Sequence, residues 1–459
     1  MLRKIPPSRL DSPALPVIRT DAGGRTWAAW EEWENERSRI GIGCLSAEEK
    51  LFSRQMTAGP DMFNCSPDLA FDPANSAWAA WLNFSDDGYR IYVEDLASRK
   101  RWVLRPNESA EVSNPKILFD KSGTAWVFWN EAAQKKWRIV YRVFDGNAWS
   151  PKKAVFAETS FPSVNPDAVP DEQGLIWLAW SGYDGADYEI YLTRWDGNDW
   201  SATVPLTENK ENDLFPSLCM GPQDLPVVSW MRSAAKGNQV FAATYQGNGA
   251  RGETAVSPPA RELILPRLTS AAGRASVVWR LDDRLAAREL TPELFSLRKR
   301  TVARSSASAP PEEHLIFNPA RNEAAYIGFG DSITYGYIDR LPAPELGYPP
   351  RLSVLLNENF GPTAMINEGL GGETTPEGLV RIDEVLDTWD ARYILIMEGT
   401  NDVINPPILM ETAAFNIEEM ARKSRQAGLF PTITTILPRL DWFGTTPFFR
   451  NRLLALNEL

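Results

Sequence analysis

A tryptophan recurs about every fifty residues through the first two thirds of the chain, and this period constrains the fold more than any other feature. Successive members are 51, 48, 51, 50 and 49 residues apart, and a proline precedes each by 14 residues, or by 13 in the last case. The six pairs are Pro16 and Trp30, Pro67 and Trp81, Pro115 and Trp129, Pro166 and Trp180, Pro216 and Trp230, and Pro266 and Trp279. Such regularity is typical of a fold built from one repeated supersecondary unit.

Each repeat predicts four strands. The clearest copy reads PDLAFD, SAWAAW, YRIYVEDL and RKRWVL, four β-rich runs separated by turn residues. Trp27 and Trp30 are three residues apart, so they point to opposite faces of the second strand, and both faces are predicted to be buried. A propeller blade buries both faces against its neighbours, whereas a sandwich sheet buries one. We therefore predict a six-bladed β-propeller over residues 15–304, with blades that start near residues 16, 67, 115, 166, 216 and 266.

The repeats resemble those of bacterial propellers of the sialidase-like or TolB-like kind, although no strict Asp-box is present. This resemblance indicates a fold and says little about function. The repeated tryptophans are interpreted as core packing between blades. Trp149, Trp195 and Trp200, which lie near DG turns, are the better candidates for a sugar-stacking platform.

Composition narrows the classes of partner and cofactor. With 48 basic and 60 acidic residues the formal charge is −12, which disfavours binding to nucleic acid or to an anionic membrane. Cys44, Cys65 and Cys219 fit neither a disulfide framework nor a zinc site, and we expect no metal and no cofactor. No run reaches the ~18 apolar residues of a membrane span, and the first residues lack an apolar export region. The compartment stays open between the cytoplasm and, if a leader is missing, the outside of the cell, and the oligomeric state is not indicated.

Residues 305–323 change to Ser, Ala, Pro and charge, which predicts a linker; His314, the one histidine of the chain, lies in it. Strand-like and helix-like runs alternate over residues 324–459. They are AAYIGFG with YPPRLSVLLNENF, TAMINEG with PEGLVRIDEVLDTW, RYILIMEG with PILMETAAFNIEEMARKSRQAG, and FPTITTILP with NRLLALNEL. This alternation predicts a flavodoxin-like α/β domain with a parallel sheet and with ligand chemistry at the carboxyl ends of its strands.

Three of those strand ends carry polar motifs: GDSIT at residues 330–334, NEGLGGETT at 367–375 and GTND at 399–402. Each motif is weak alone, but the three together, in order and each after a strand, are a strong signal. A serine in a glycine-flanked turn can act as an exposed nucleophile. A backbone N–H freed by glycine and an amide side chain are the donors that a tetrahedral oxyanion needs.

On these motifs residues 324–459 resemble the SGNH, or GDSL-type, hydrolase family. The resemblance implies that Ser332 is the nucleophile and that Ser332, Gly372 and Asn401 form an oxyanion hole. The supporting positions that it implies are Asp331, Asn367, Gly399 and Asp402. We therefore expect a serine hydrolase for acyl or acetyl esters, with a glycan-linked ester as one candidate substrate. The alternative is a non-catalytic propeller that binds a carbohydrate or a protein, joined to an inert hydrolase-like domain.

The same family takes its acid and base from a late Asp-x-x-His block, and no histidine follows Asn401 in this sequence. His314 is interpreted as a surface or docking residue. Four strands are counted where the family has five, so we expect a C-terminally incomplete domain that lacks its last strand and helix and its catalytic base. A fragment is favoured over a natural pseudoenzyme. We expect the printed chain to be nearly silent on a short activated ester.

Overall fold

The computed structural model divides the chain into two compact units near residue 302. The residues that it describes are 16–34, 37–45, 51–56, 63–85, 88–104, 110–234, 237–246, 250–260, 265–271, 274–281, 284–291, 322, 324–338, 341–342, 344, 347–405, 407–437 and 447–459. Among these residues, no helix has the length and the apolar character that crossing a membrane requires.

The first unit is a six-bladed β-propeller made of antiparallel sheets whose strands follow one another in sequence order. Its strands are β1 Val17–Thr20, β2 Thr26–Glu34, β3 Arg37–Leu45, β4 Leu51–Met56, β5 Phe63–Phe71, β6 Ala77–Ser85, β7 Gly88–Asp95, β8 Arg101–Leu104, β9 Glu111–Phe119, β10 Ala125–Ala133, β11 Lys136–Phe144, β12 Lys153–Ala154, β13 Ser163–Pro170, β14 Ile176–Tyr183, β15 Tyr188–Trp195, β16 Val204–Pro205, β17 Asn212–Met220, β18 Pro226–Ala234, β19 Gly237–Tyr245, β20 Ala250–Ala255, β21 Arg267–Ala271, β22 Arg274–Leu281 and β23 Arg284–Leu290. Five blades have four strands. The sixth has three, and the stretch in which its fourth strand is predicted lies outside the described residues.

The innermost strands β1, β5, β9, β13, β17 and β21 contact one another in turn, and β21 contacts β1, so the ring is closed. Both faces of the second strands are buried, as the tryptophan spacing predicts: in β10, Trp126 and Trp129 are both buried. Between the third and fourth blades, Phe128 packs in one cluster with Leu178 and Trp180. The repeated tryptophans therefore lie in the core between blades.

The repeated proline lies at a β-bulge in the innermost strand. The residue before it has a positive φ in four blades: Ser66 at 51°, Asn114 at 53°, Asn165 at 57° and Phe215 at 54°. The ladder register shifts at this point in the second, third and fourth blades. Proline has no N–H for a ladder bond, so a bulge is a position where a strand tolerates it.

The second unit contains a parallel sheet in the order β27-β24-β28-β29, with helices in the connections, as the alternating pattern predicts. Its elements are β24 Ala325–Gly330, α1 Ser332–Tyr335, β25 Tyr337–Ile338, β26 Leu341–Pro342, α2 Tyr348–Phe360, β27 Ala364–Gly369, α3 Thr375–Thr388, β28 Tyr393–Met397, α4 Thr400–Val403, α5 Met410–Gln426, β29 Phe430–Ile433 and α6 Pro447–Glu458. β24 lies between two strands and buries Ile327 and Phe329 completely. The site motifs follow β24 and the strands on either side of it.

Candidate active site

The first motif lies where β24 ends. Gly330 has a φ of 155°, and a Cβ there would collide with the carbonyl oxygen of Met397, so this position requires glycine. Asp331 is fully buried, and its Oδ1 accepts a hydrogen bond from the backbone N–H of Ile333 at 2.8 Å, which caps α1. Ser332 is the first residue of α1 and is half-buried. Ser332 thus lies at the carboxyl edge of the sheet.

The second motif is packed directly onto the first. The backbone N–H of Leu370 donates to the carbonyl oxygen of Gly330 at 2.8 Å. Nδ2 of Asn367 donates to the carbonyl oxygen of Tyr335, at the end of α1, at 3.2 Å. A Cβ at Gly369 would collide with the backbone of Tyr335, so α1 approaches β27 closely because this residue has no side chain.

The third motif is bonded to the second. Nδ2 of Asn401 donates to the carbonyl oxygen of Glu373 at 2.6 Å. Asp402 is fully buried and accepts the backbone N–H of Thr375 at 3.0 Å and the Thr375 hydroxyl at 2.5 Å. Gly399 precedes α4 with a φ of 111°. The three motifs therefore form one bonded cluster at the carboxyl edge of the sheet.

Gly372 lies in the loop of the second motif, directly before the residue whose carbonyl holds Asn401. It has a φ of 83°, and no atom lies within 4 Å of a Cβ placed there. Within the described part of the chain, the backbone N–H groups of Gly372 and Ser332 donate to no protein acceptor. Two uncommitted N–H groups and an amide side chain are the donors that an oxyanion hole uses.

Four buried carboxyl groups lie within these motifs or directly beside them. They belong to Asp331, Glu373, Glu398 and Asp402, and none is more than 3% exposed. Burial raises the pKa of Asp331 and that of Asp402 to about 6. Burial, and then the charges of Glu373 and Asp331, raise the pKa of Glu398 well above its ordinary value. Neither oxygen of Glu398 has a hydrogen-bond partner among the described residues, so burial opposes its charged form without compensation from a donor.

Arg381 pairs with one of these carboxylates. Its Nε and Nη2 each donate to an oxygen of Glu373 at 2.6 Å, and Nη2 also donates to the carbonyl oxygen of Glu368 at 3.0 Å. The guanidinium lies 4.1 Å from the ring centroid of Phe329. Arg381 therefore anchors the loop that Asn401 contacts.

The sequence analysis did not select Glu373, Glu398 or Arg381. The two glutamates stand inside or directly beside the quoted motifs, so their position was an available signal. Arg381 lies on a helix of mixed polarity, and nothing in its local sequence distinguishes it from a surface residue. Its role is visible only once α3 is packed against the sheet.

The described residues include no histidine and no group of three or more His, Cys, Asp or Glu side chains arranged to hold a metal ion. His314 lies outside the described ranges. The geometry therefore brings the three predicted motifs together, and it assigns no described residue as a catalytic base.

The tryptophans considered for sugar stacking are half-buried. Trp195 and Trp200 meet edge to face with centroids 5.6 Å apart, and Trp200 lies 6.0 Å from Phe128 of the neighbouring blade. Trp149 lies 5.3 Å from Phe144 in its own blade. The rings of all three pack against other aromatic side chains of the propeller.

Comparison with known proteins identifies relatives of the second unit. Residues 329–459 match the GDSL-like Lipase/Acylhydrolase family. The uncharacterized lipoprotein YqeF of Bacillus subtilis (strain 168) is 29% identical over 133 residues, which are 27% of this chain and 52% of YqeF. The chain thus spans about half the length of this curated relative.

Solved structures similar to each part of the chain were also found. A putative lipolytic protein of the G-D-S-L family from Desulfitobacterium hafniense DCB-2 has 21% identity and a TM-score of 0.25, over 30% of this chain and 69% of that one. An alpha-L-arabinanase of Penicillium chrysogenum has 13% identity and a TM-score of 0.45, over 62% of this chain and 95% of that one.

Proposed function

We propose that the second unit, a GDSL-like hydrolase domain, hydrolyses acyl or acetyl esters with Ser332 as its nucleophile. The observation that carries this proposal is the bonding of three strand-end motifs into one cluster around Ser332. Leu370 ties the second motif to the first, and Asn401 ties the third to the second. Independent loops at a sheet edge would have no reason to share these bonds.

In the proposed reaction, Oγ of Ser332 attacks the carbonyl carbon of the ester while a base accepts the hydroxyl proton. The carbonyl oxygen becomes an oxyanion, which the N–H groups of Ser332 and Gly372 and the amide of Asn401 stabilise. Collapse of this intermediate expels the alcohol and leaves an acyl group on Ser332. Water then cleaves the acyl-enzyme and regenerates the serine.

The surrounding residues hold these donors in position before substrate arrives. Asp331 caps the helix that begins with Ser332. Asp402 binds the N-terminus of α3. Arg381 binds Glu373, in the loop that precedes α3. Donors that are already oriented need no rearrangement when charge develops, which is the main source of oxyanion stabilisation.

The test supplies a base from solution. Wild type and Ser332→Ala are compared for hydrolysis of p-nitrophenyl acetate with increasing 2-methylimidazole, whose methyl group hinders direct attack on the ester. We expect a rate component that depends on both Ser332 and the imidazole, because positioned proton transfer is worth about 10² to 10⁴ in rate. Ser353→Ala, a half-buried serine on α2, is the matched control and should behave as wild type.

Equal rates for wild type and Ser332→Ala at every imidazole concentration would contradict the proposal and would favour the inert, binding-only alternative. Turnover without imidazole that depends on Ser332 would reveal a base within the chain. His314→Ala is then the first variant to measure, because no other histidine is present.

The alcohol portion of the ester is a further part of this proposal. Trp195 and Trp200 pack against other aromatic rings, so these two side chains do not by themselves point to a sugar. A glycan-linked substrate is tested by comparing an acetylated oligosaccharide with p-nitrophenyl acetate under the same conditions.

A further inference from the structure

Polar side chains line the propeller axis at one repeated position, the residue after the repeated proline. This position lies on the innermost strands of the second to sixth blades or directly beside them. Its occupants are Asp68, Lys116, Asp167, Ser217 and Arg267. The bulge described above precedes this position in the second to fifth blades.

Where the occupant can accept a hydrogen bond, it binds the backbone of the next blade. Asp68 accepts the N–H of Ile117 at 3.0 Å, and Ser217 accepts the N–H of Leu268 at 2.9 Å. Asp167 accepts the N–H of Leu218, the equivalent residue of the fifth blade, at 2.8 Å. Lysine and arginine have no acceptor atom, so the third and sixth blades cannot make this bond.

The two cations at these positions lack hydrogen-bond acceptors. Nζ of Lys116 lies 3.7 Å from the nearest carboxylate oxygen, that of Asp167, which exceeds hydrogen-bond length. Nε of Arg267 is buried and has no partner within the described residues. In a ring of six, the third and sixth blades stand opposite each other, so these two cations approach the axis from opposite sides. The charge of Arg267 contributes to lowering the pKa of Lys116, after burial itself.

Among the described residues, the charged side chains around Lys116 and Arg267 include one more cation than carboxylates. Arg19 pairs with Asp68 at 3.1 Å, and the charged groups in electrostatic range are three cations, Arg19, Lys116 and Arg267, and two carboxylates. The side chains of Asp68, Lys116 and Asp167 are at most 9% exposed. Arg267 is half-buried, but its Nε is buried without an acceptor, and a buried cationic donor without a hydrogen-bond partner is unfavourable.

We propose that a small monovalent anion, such as chloride, binds at the propeller axis between Lys116 and Arg267. Lys116 is 8% exposed, which favours a small ion over a polymeric anion, and the excess of one charge indicates a monovalent ion. Bound there, the ion accepts hydrogen bonds from both cations and links blades on opposite sides of the ring. The site is independent of ester hydrolysis.

Two measurements on the full chain test this site. Crystals soaked in sodium bromide should give an anomalous difference peak at hydrogen-bond distance from Nε of Arg267. The Tm should rise with the logarithm of chloride concentration above Kd, and it should not rise in sodium gluconate of equal ionic strength, because gluconate is too large for the enclosed site.

Arg267→Met and Lys116→Met should each lose the chloride-dependent shift in Tm. Arg274→Met is the matched control, since this arginine lies in the same blade with its side chain 72% exposed, and it should keep the shift. No bromide peak at Arg267, or equal Tm values in chloride and gluconate, would overturn the proposal. If Lys116 instead loses its proton, no excess charge remains and the Tm should not depend on chloride. That result would also overturn the proposal.

Discussion

The guanidinium of Arg452, on the last helix, donates a 2.6 Å hydrogen bond to the carbonyl oxygen of Ile408. The same side chain donates to the carbonyl oxygens of Asp402, Val403 and Asn405 at 2.8, 2.9 and 3.2 Å, and it is 2% exposed. One planar fork thus satisfies four carbonyl groups of the segment that follows Asn401. Arg452 fixes that segment although it lies 50 residues after Asp402 in the sequence.

Arg452→Lys should therefore destabilise the second unit. A lysine ammonium cannot reproduce the fork, and each buried carbonyl left without a donor costs about 1–3 kcal/mol. We expect a loss of about 2–3 kcal/mol in the free energy of unfolding, measured by denaturant titration, with faster hydrogen exchange over residues 402–408. Arg450→Lys, at an exposed position of the same helix, should change stability by less than about 0.5 kcal/mol. Equal losses in the two variants would show that the fork is not what stabilises this segment.

Asp68 should be a strong determinant of propeller stability, because it joins the second blade to the third and also pairs with Arg19. Asp68→Ala leaves the buried N–H of Ile117 without an acceptor, and we expect a loss of about 3 kcal/mol. Asp68→Asn keeps an acceptor oxygen but loses the charge, so it should cost roughly half as much.

Thermal unfolding of both Asp68 variants provides the measurement, with Glu208→Ala as a control at an exposed position of the same unit. An alanine variant as stable as the asparagine variant would mean that the hydrogen bond to Ile117 contributes nothing beyond the charge.

The sequence predicted the repeating architecture because apolar periodicity reports which faces are buried. The predicted helix at residues 348–360 coincides with α2, and the strand before Ser332 is displaced by one residue only at its start. Outermost blade strands were less predictable: β12 and β16 pair over two residues each, where longer strands were expected. Pro205 cannot donate to a ladder, and strands at a blade edge gain little from burial.

A regular turn between the first and second strands was visible in the sequence and was missed. The carboxylate of Asp120 accepts the backbone N–H groups of Ser122 and Thr124 and the indole N–H of Trp126, at 2.9, 3.0 and 2.9 Å. Equivalent pairs, an aspartate followed by a tryptophan six residues later, bond in three other blades: Asp21 and Trp27, Asp72 and Trp78, and Asp171 and Trp177.

Long-range polar partners could not be predicted in the same way. Arg452 with Asp402, and Asp68 with Ile117, are about fifty residues apart, and no local pattern marks either pair. The order of the parallel sheet also depends on how the connecting helices pack. The three strand-end motifs were the exception, because the carboxyl ends of parallel strands meet at one edge whatever the order.

Acidification should stabilise the second unit relative to neutral pH. Burial raises the pKa of Asp331 to about 6, against about 3.9 for an unfolded chain. Between these values the folded state holds a proton that the unfolded state has lost, so the free energy of unfolding falls as pH rises from about 4 to about 6. Asp402 contributes in the same direction.

Asp331→Asn removes this ionisation and keeps an oxygen that can accept the N–H of Ile333. The Tm of the variant minus that of wild type should therefore become more positive from pH 4.5 to pH 7, measured at about six pH values with constant ionic strength. Asp387→Asn, at an exposed position of α3, controls for the loss of one surface charge. A difference that stays constant across this range would rule out Asp331 as a source of the pH dependence.

Gly372 offers a test that separates oxyanion stabilisation from backbone strain. Its φ is 83°, and that of Gly361, at the end of α2, is 88°; a Cβ at either position meets no atom within 4 Å. Alanine should cost each position roughly 1–3 kcal/mol of stability, since a positive φ opposes it at both; Gly361, with a ψ of −173°, lies in a region that other residues rarely adopt. Gly361 has no role in the proposed site, so its alanine variant controls for the effect of a strained backbone on activity.

On the proposed function, Gly372→Ala should lower kcat for ester hydrolysis by about 10- to 100-fold with little change in KM, because a displaced N–H weakens binding of the oxyanion more than binding of the substrate. Gly361→Ala should retain the wild-type kcat. Assays with 2-methylimidazole present allow this comparison whether or not the chain supplies its own base. Gly372→Ala and Gly361→Ala could instead have equal kcat while Ser332→Ala is inactive. Gly372 would then not belong to the oxyanion hole, and Ser332 would still be the nucleophile.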